Sequence, residues 1–198
     1  MHLLHQTSEH QSQTMPSAIF SIGHSTHEPD RFQALLARHQ IGLLADVRRF
    51  PGSRKFPHFN AESLSAALSD AGIEYRWFED LGGRRKVKSA SIQNACLRNE
   101  SFRNYADYMA TDAFRAGVER LLEAAAMKPI AIMCSEGVFW RCHRRLIADY
   151  LLMRNIAVRH IMPSGDLHEH SLTSEALIVD GQVTYPPPAG DAGPLLFE

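Results

Sequence analysis

Short apolar runs alternate with longer amphipathic stretches through most of this chain. Ala18-Ile-Phe-Ser-Ile-Gly23 is an apolar run that stops at glycine, the pattern of a buried strand. Glu28 to His39 then carries Phe32, Leu35, Leu36 and His39 at helical spacing, and Gly42-Leu-Leu-Ala-Asp-Val-Arg48 reads as a second buried strand. Asn60 suits a helix cap, Leu64, Ala67, Leu68 and Ala71 form an apolar stripe behind it, and Gly72 is the stop. Ile73 to Phe78 alternates, which predicts a third strand with one face exposed. A polar, Gly-rich and basic loop follows from Leu81. Ser101 to Ala110 and Asp112 to Met127 read as helices, and Pro129-Ile-Ala-Ile-Met-Cys134 as the fourth strand. Arg141 to Arg154 is a helix with Leu146, Ile147, Tyr150 and Leu151 on its apolar face, and Ala157 to Met162 is the fifth strand. Ala176 to Tyr185 is a hairpin pattern turning at Asp180-Gly181.

Alternation of this kind predicts an α/β fold, a Rossmann-like three-layer sandwich with a mostly parallel five-stranded sheet, followed by a C-terminal hairpin. Residues 1–17 read as a flexible polar arm, 18–170 as the α/β domain, and 171–198 as the hairpin with a loose Pro/Gly-rich tail. In open parallel sheets, ligands bind at the carboxyl ends of the strands. The unusual polar residues fall at those ends: Gly23-His-Ser-Thr-His27, Asp46-Val-Arg48, Glu79-Asp-Leu-Gly-Gly-Arg-Arg85, Cys134-Ser-Glu136 and His160.

Composition narrows the classes. With 198 residues the chain has the length of a single domain, and three cysteines are too few, and odd in number, for a disulfide scaffold. No apolar run is long enough to span a membrane, and the first sixteen residues lack the pattern of a signal peptide. A cytoplasmic protein with reduced thiols is the expectation. The formal charge of -1 argues against polyanions, but that total conceals a distribution. Eleven basic residues fall in three loops at one predicted edge: Arg48, Arg49, Arg54, Lys55; Arg84, Arg85, Lys86, Lys88; Arg141, Arg144, Arg145. Phe50, Phe56, Phe59, Phe78, Phe139 and Trp140 are interleaved with them. Arginines hold phosphates and aromatic rings stack on bases, so the expected partner is an anionic small molecule or a nucleic acid.

Several residues at this edge could carry chemistry. Cys134 leaves an apolar strand toward a helix, where backbone N–H groups lower a thiol pKa and hold an anion. Phosphatases and sulfurtransferases place a cysteine there. The arginine that closes such loops comes one residue late, at Arg141, and Glu136 inside the loop would repel an oxyanion. A buried Cys134 that merely ends a core strand is the plain alternative. Glu136 and Asp46 are candidate general bases, or else partners of Arg144, Arg141 and Arg48 in ion pairs. His24 and His143 are candidate proton carriers, and Ser25 sits where backbone N–H groups could meet a phosphate. No metal site is assigned, because Cys-x-x-Cys is absent and His168-Glu-His170 lacks the helical spacing of a zinc hydrolase. No cofactor motif is visible.

Together, Ser21-Ile-Gly-His-Ser25, Asp46-Val-Arg48 with Pro51 and Ser53, Phe59-Asn60, Leu81-Gly-Gly-Arg84, Phe102 with Tyr105-Ala-Asp-Tyr-Met109, Met133-Cys-Ser-Glu136 and Cys142-His-Arg144 form a specific combination. On these residues, spread over Ile19 to His170, the chain resembles the family catalogued as domain of unknown function 488. The resemblance implies an α/β fold with a site built from these motifs, which adds Tyr105 to the expected substrate-binding residues. It implies no activity. Val138-Phe139-Trp140 is bulkier than the polar stretch expected there, which bears on the shape of the ligand. The leading expectation is an enzyme acting on a nucleotide or nucleic acid by acid–base hydrolysis or group transfer. Glu136 or Asp46 would be the base, His24 or His143 would move protons, and Ser25, Arg48, Arg84, Arg141 and Arg144 would hold the anion. A thiol enzyme using Cys134 and a non-catalytic nucleic-acid or nucleotide binding module are the alternatives.

Overall fold

A computed structural model describes residues 18–86 and 91–187. The predicted arm and the end of the predicted tail lie outside the described residues. Five strands alternate with helices in the predicted order: β1 Ala18–Gly23, α1 Pro29–Arg38, β2 Leu43–Asp46, α2 Ala61–Asp70, β3 Glu74–Trp77, α3 Glu100–Met109, α4 Asp112–Met127, β4 Ile130–Cys134, α5 Arg144–Met153 and β5 Ala157–Ile161. A sixth strand, β6 Leu167–Glu169, joins them, and β7 Leu177–Val179 pairs with β8 Gln182–Thr184 as the hairpin. The sheet order is β3-β2-β4-β1-β5-β6, and only β6 runs antiparallel. It therefore has six strands, where the periodicity predicted five. All three β6 residues are exposed, so this strand carries no apolar signal.

Two cores flank the sheet. On one face, Phe32, Leu35 and Leu36 of α1 and Leu64 and Leu68 of α2 pack on Ile22, Leu44 and Met133. On the other, α3, α4 and α5 pack on Leu43, Ala45, Ile130 and Ile132. Alternate residues of β2 and β4 thus feed opposite cores, as strand geometry requires. Gly72 ends α2 at φ 72°, and Asp180 and Gly181 at φ 49° and 71° make the tight hairpin turn.

Two local expectations fail. Asn60 precedes α2 but does not cap it, because its Oδ1 accepts from the backbone N–H of Ser53 at 2.5 Å and so ties down the preceding loop. The helix expected from Arg141 begins at Arg144. Phe139–Arg141 is a separate 3-10 turn, and Cys142 is extended at φ -132° and ψ 149°. Cys142 and His143 therefore lie at the mouth of α5.

The hairpin is attached by a buried polar network. Asp149 of α5 accepts from Nε2 of His170 at 3.0 Å, from the N–H and hydroxyl of Thr173, and from the hydroxyl of Tyr185 at 2.8 Å. His170 in turn accepts at Nδ1 from Nε2 of His160 at 3.0 Å.

β1 and β4 are neighbours, yet the chain leaves them toward α1 on one face and α5 on the other. That divergence opens a crevice at their carboxyl ends. Backbone pairing continues past the strands, with N–H groups of His24 and Ser25 donating to the carbonyls of Cys134 and Ser135 at 2.9 Å each. The approach is so close that a Cβ on Gly23 would lie 1.8 Å from the Glu136 carbonyl oxygen. Gly23→Ala must push these loops apart, and we expect a loss of at least about 2 kcal/mol in urea unfolding. A loss below about 0.5 kcal/mol would show that the loops yield freely.

Candidate functional site

The crevice is a cavity of about 570 Å³. Cys134, Cys142 and His143 line it beside His24 and Ser25. Arg48, Arg49, Lys55, Arg84 and Arg141 bring cationic groups to its walls, Phe50, Phe56 and Phe102 bring rings, and among the described residues Glu136 is its only lining carboxylate. Four of the five residues expected to carry chemistry border this cavity: Glu136, Cys134, His24 and His143.

Asp46 does not. It is fully buried and accepts from the Arg48 backbone N–H and Nε at 2.9 Å each, from Arg48 Nη2 at 2.5 Å, and from the Tyr75 hydroxyl at 2.7 Å. A carboxylate so fully engaged is a clamp for Arg48, which corrects the expectation of a general base. Arg48 keeps Nη1 directed at Nε2 of His24, 3.4 Å away. The other ring nitrogen of His24 donates to the Ser25 carbonyl at 3.1 Å, and the ring stacks on Phe59 with centroids 4.2 Å apart. Burial first, then the Arg48 charge, lowers its pKa to about 4. His24 is thus a neutral wall residue with both nitrogens engaged, and the proton-carrying role expected of it finds no free atom.

His143 is fixed from two sides. Val47 offers only a carbonyl at 3.0 Å, so Nε2 of His143 donates. Nδ1 then faces Cys142 Sγ at 3.6 Å and Cys134 Sγ at 3.9 Å. The two thiols share their environment unequally. The hydrogen bond with Cys142, then burial, pushes Cys134 well up. Burial opposes ionisation of Cys142 too, but the Cys134 hydrogen bond and the neighbouring His143 and Arg144 outweigh it and hold Cys142 well below the usual thiol range. Of the two thiols, Cys142 is the one whose neighbours favour ionisation, whereas strand position alone points to Cys134. Three donor atoms, from Cys134, Cys142 and His143, all lie within 4.8 Å of one another.

Two expected anion ligands face elsewhere. Arg144 is buried, donating from Nη1 to the Ser21 hydroxyl at 2.9 Å, from Nη2 to the Glu136 carbonyl, and from Nε to Cys142 Sγ at 3.4 Å. Tyr105 is buried and donates to the Leu81 carbonyl at 2.7 Å while its ring packs edge-on against His143. Neither lines the cavity. Both set its walls, in place of the ligand contact expected of them. The bulky Val138-Phe139-Trp140 is also outside the cavity lining, since Phe139 stacks on His160 with centroids 3.6 Å apart. Ser25 and Arg84 border the cavity with left-handed backbones, φ 48° and 53°. Such conformations cost roughly 1 kcal/mol or more outside glycine and are concentrated at functional sites.

The model of the family "Domain of unknown function DUF488" matches residues 28–151. The chain belongs to the DUF488 family. Its match covers α1 through most of α5, and so most of the cavity walls, including Arg48, Arg84, Glu136 and the Cys134–Cys142–His143 cluster. Comparison with curated proteins and with solved structures gave no match. Membership in the DUF488 family therefore fixes the kinship of this chain without fixing an activity.

The sequence sets Cys134 and Cys142 on either side of the expected site but does not show that both sulfurs meet at Nδ1 of His143. Lys55 and Phe50, expected only as members of the basic and aromatic edge, and Phe102, expected only through the family motifs, all line the cavity. The signal for Lys55 and Phe50 was their place in the loop after β2. Nothing in the spacing announced Phe102, which arrives from α3.

His24 and His160 are both held neutral, with pKa lowered to about 4 and about 2, in each case chiefly by burial. Unfolded histidine binds its proton near pH 6.5. As pH falls below that value the unfolded chain takes up protons that the fold refuses, so stability is lost on acidification. Between pH 7 and pH 5 each histidine should cost about 2 kcal/mol, a window above the carboxylate range. Urea unfolding at the two pH values should show the loss, and His24→Asn should remove about half of it. A flat profile would sink the assignment.

Proposed function

We propose that this chain is an enzyme acting on a nucleotide or nucleic-acid substrate, by acid–base hydrolysis or group transfer in the cationic cavity. The observation that carries this reading is the charge of the cavity lining. Asp46 offsets Arg48 and Glu79 offsets Arg49. Lys55, Arg84 and Arg141 have no carboxylate partner among the described residues. Three cationic groups thus face a single carboxylate, Glu136. The volume suits a nucleotide-sized ligand. Phe50, 66% exposed at the cavity edge, offers a ring on which a base can stack.

In this reading Lys55, Arg84 and Arg141 hold phosphate, Arg48 is the preset member of the same cradle, and Glu136 moves the proton. Glu136 is exposed and its carboxylate is free of ion pairs among the described residues, so it can turn toward a bound substrate. His143, with both nitrogens engaged, positions the floor.

Binding of nucleoside monophosphates and short oligonucleotides to the full chain tests the cradle. A charge-assisted hydrogen bond contributes about 1.5–3 kcal/mol, so Arg84→Gln and Arg141→Gln should each weaken binding about tenfold or more. Glu136→Gln should leave binding intact and abolish turnover in a screen of the same compounds. Binding with a steep salt dependence but no turnover sensitive to Glu136→Gln would favour the binding module instead. Turnover abolished by alkylating the thiols, with Glu136→Gln active, would favour the thiol enzyme.

A further inference from the structure

We propose that Cys134, Cys142 and His143 form a binding site for a divalent ion of the zinc type at the floor of the cavity. Two thiolates and an imidazole are the donor set that zinc favours and that magnesium and calcium avoid. The spacing fits. With bonds of about 2.3 Å to sulfur and about 2.0–2.1 Å to nitrogen, a tetrahedral ion needs its sulfur and nitrogen donors about 3.6 Å apart. Nδ1 of His143 lies 3.6 Å from Cys142 Sγ and 3.9 Å from Cys134 Sγ.

The surroundings suit an ion independently of those distances. Metal-bound histidines habitually donate their second ring N–H to a carbonyl or carboxylate, which fixes the ring and its tautomer. His143 does this to Val47 at 3.0 Å, leaving the Nδ1 lone pair toward the two sulfurs. Arg144 Nε donates to Cys142 Sγ, which stabilises negative charge on that ligand. Gly83 supplies the space. A Cβ there would lie 2.8 Å from Nδ1 and 3.1 and 3.2 Å from the two adjoining ring carbons, so a side chain would press on the face of the imidazole and displace the ring.

All three donors are buried but border the cavity. Three protein ligands leave a fourth position, the arrangement of catalytic rather than structural zinc. That position faces the space lined by Glu136 and the cationic groups. An ion there would supply a Lewis acid beside a carboxylate able to move a proton. This catalytic role rests on the function proposed above; the binding of the ion does not.

The test uses the full, untagged chain purified under reducing conditions. Elemental analysis should find zinc equimolar with the chain, lost in Cys134→Ser and in Cys142→Ser and retained in Cys96→Ser, whose thiol lies apart. Replacing zinc by cobalt(II) in the wild type should give thiolate-to-cobalt charge-transfer absorption. This readout stands even where a serine variant fails to fold. Reduced wild-type protein that holds no stoichiometric zinc and shows no such absorption overturns the proposal, as does a Cys134–Cys142 disulfide that persists in the presence of added zinc. Zinc bound without any nucleotide binding would uphold the site and sink the proposed function. Nucleotide turnover by protein proven free of metal would do the reverse.

Discussion

The buried guanidinium of Arg144 holds the centre of this molecule together. A charge removed from water is costly unless its donors are met, and Arg144 meets them on three separate pieces of chain. Ser21 belongs to β1, the Glu136 carbonyl to the turn after β4, and Cys142 to the entry of α5. The divergence of β1 and β4 that opens the cavity is thus bridged from beneath. No carboxylate answers this charge among the described residues, so the sulfur of Cys142 is the group best placed to do so. Against its burial, the Cys142 thiol is lowered by the Cys134 hydrogen bond, by His143 and by this same guanidinium that closes the floor.

Arg48 makes a useful contrast. Its charge is fully answered by Asp46 within the same turn, and the pair is nearly sealed from solvent. Buried pairs of this kind contribute little net stability, but removing either partner alone is severe. The Asp46–Arg48 clamp therefore fixes a direction in space, with Nη1 held toward His24 at the cavity wall. Cavity charge that can respond to a ligand resides in Lys55, Arg84 and Arg141, which have no carboxylate partner among the described residues. The near-zero total charge of the chain conveys none of this, because acids such as Glu62, Glu119 and Glu123 lie on helices away from the cavity.

The strands and helices with strong apolar periodicity were legible in advance: β1, β2, β4 and the apolar faces of α1, α2 and α5. So was the edge of the sheet that carries the cavity, since the carboxyl-end rule follows from strand order alone. What periodicity could not show was direction. Asp46, Arg144 and Tyr105 have the residue types of a site and lie near it in sequence, yet each points inward to a buried partner. The Cys134–Cys142–His143 cluster was obscured for a related reason. Its ligands are separated by a turn and an extended residue rather than by a motif spacing, so only the break before α5 brings them together.

The position of β1 has a consequence for how the chain reaches this fold. It is the first described element, yet it lies near the middle of the sheet, between β4 and β5. Ala18 pairs with Ala157, about 140 residues later. During synthesis β1 emerges long before either neighbour exists, and loop-closure entropy must be met before its pairing returns anything. Until then an apolar strand stands with both edges open, the condition that invites misassociation. Folding of this chain should consequently be slow for its size and late to commit, with the cavity assembled in the same event that inserts β1.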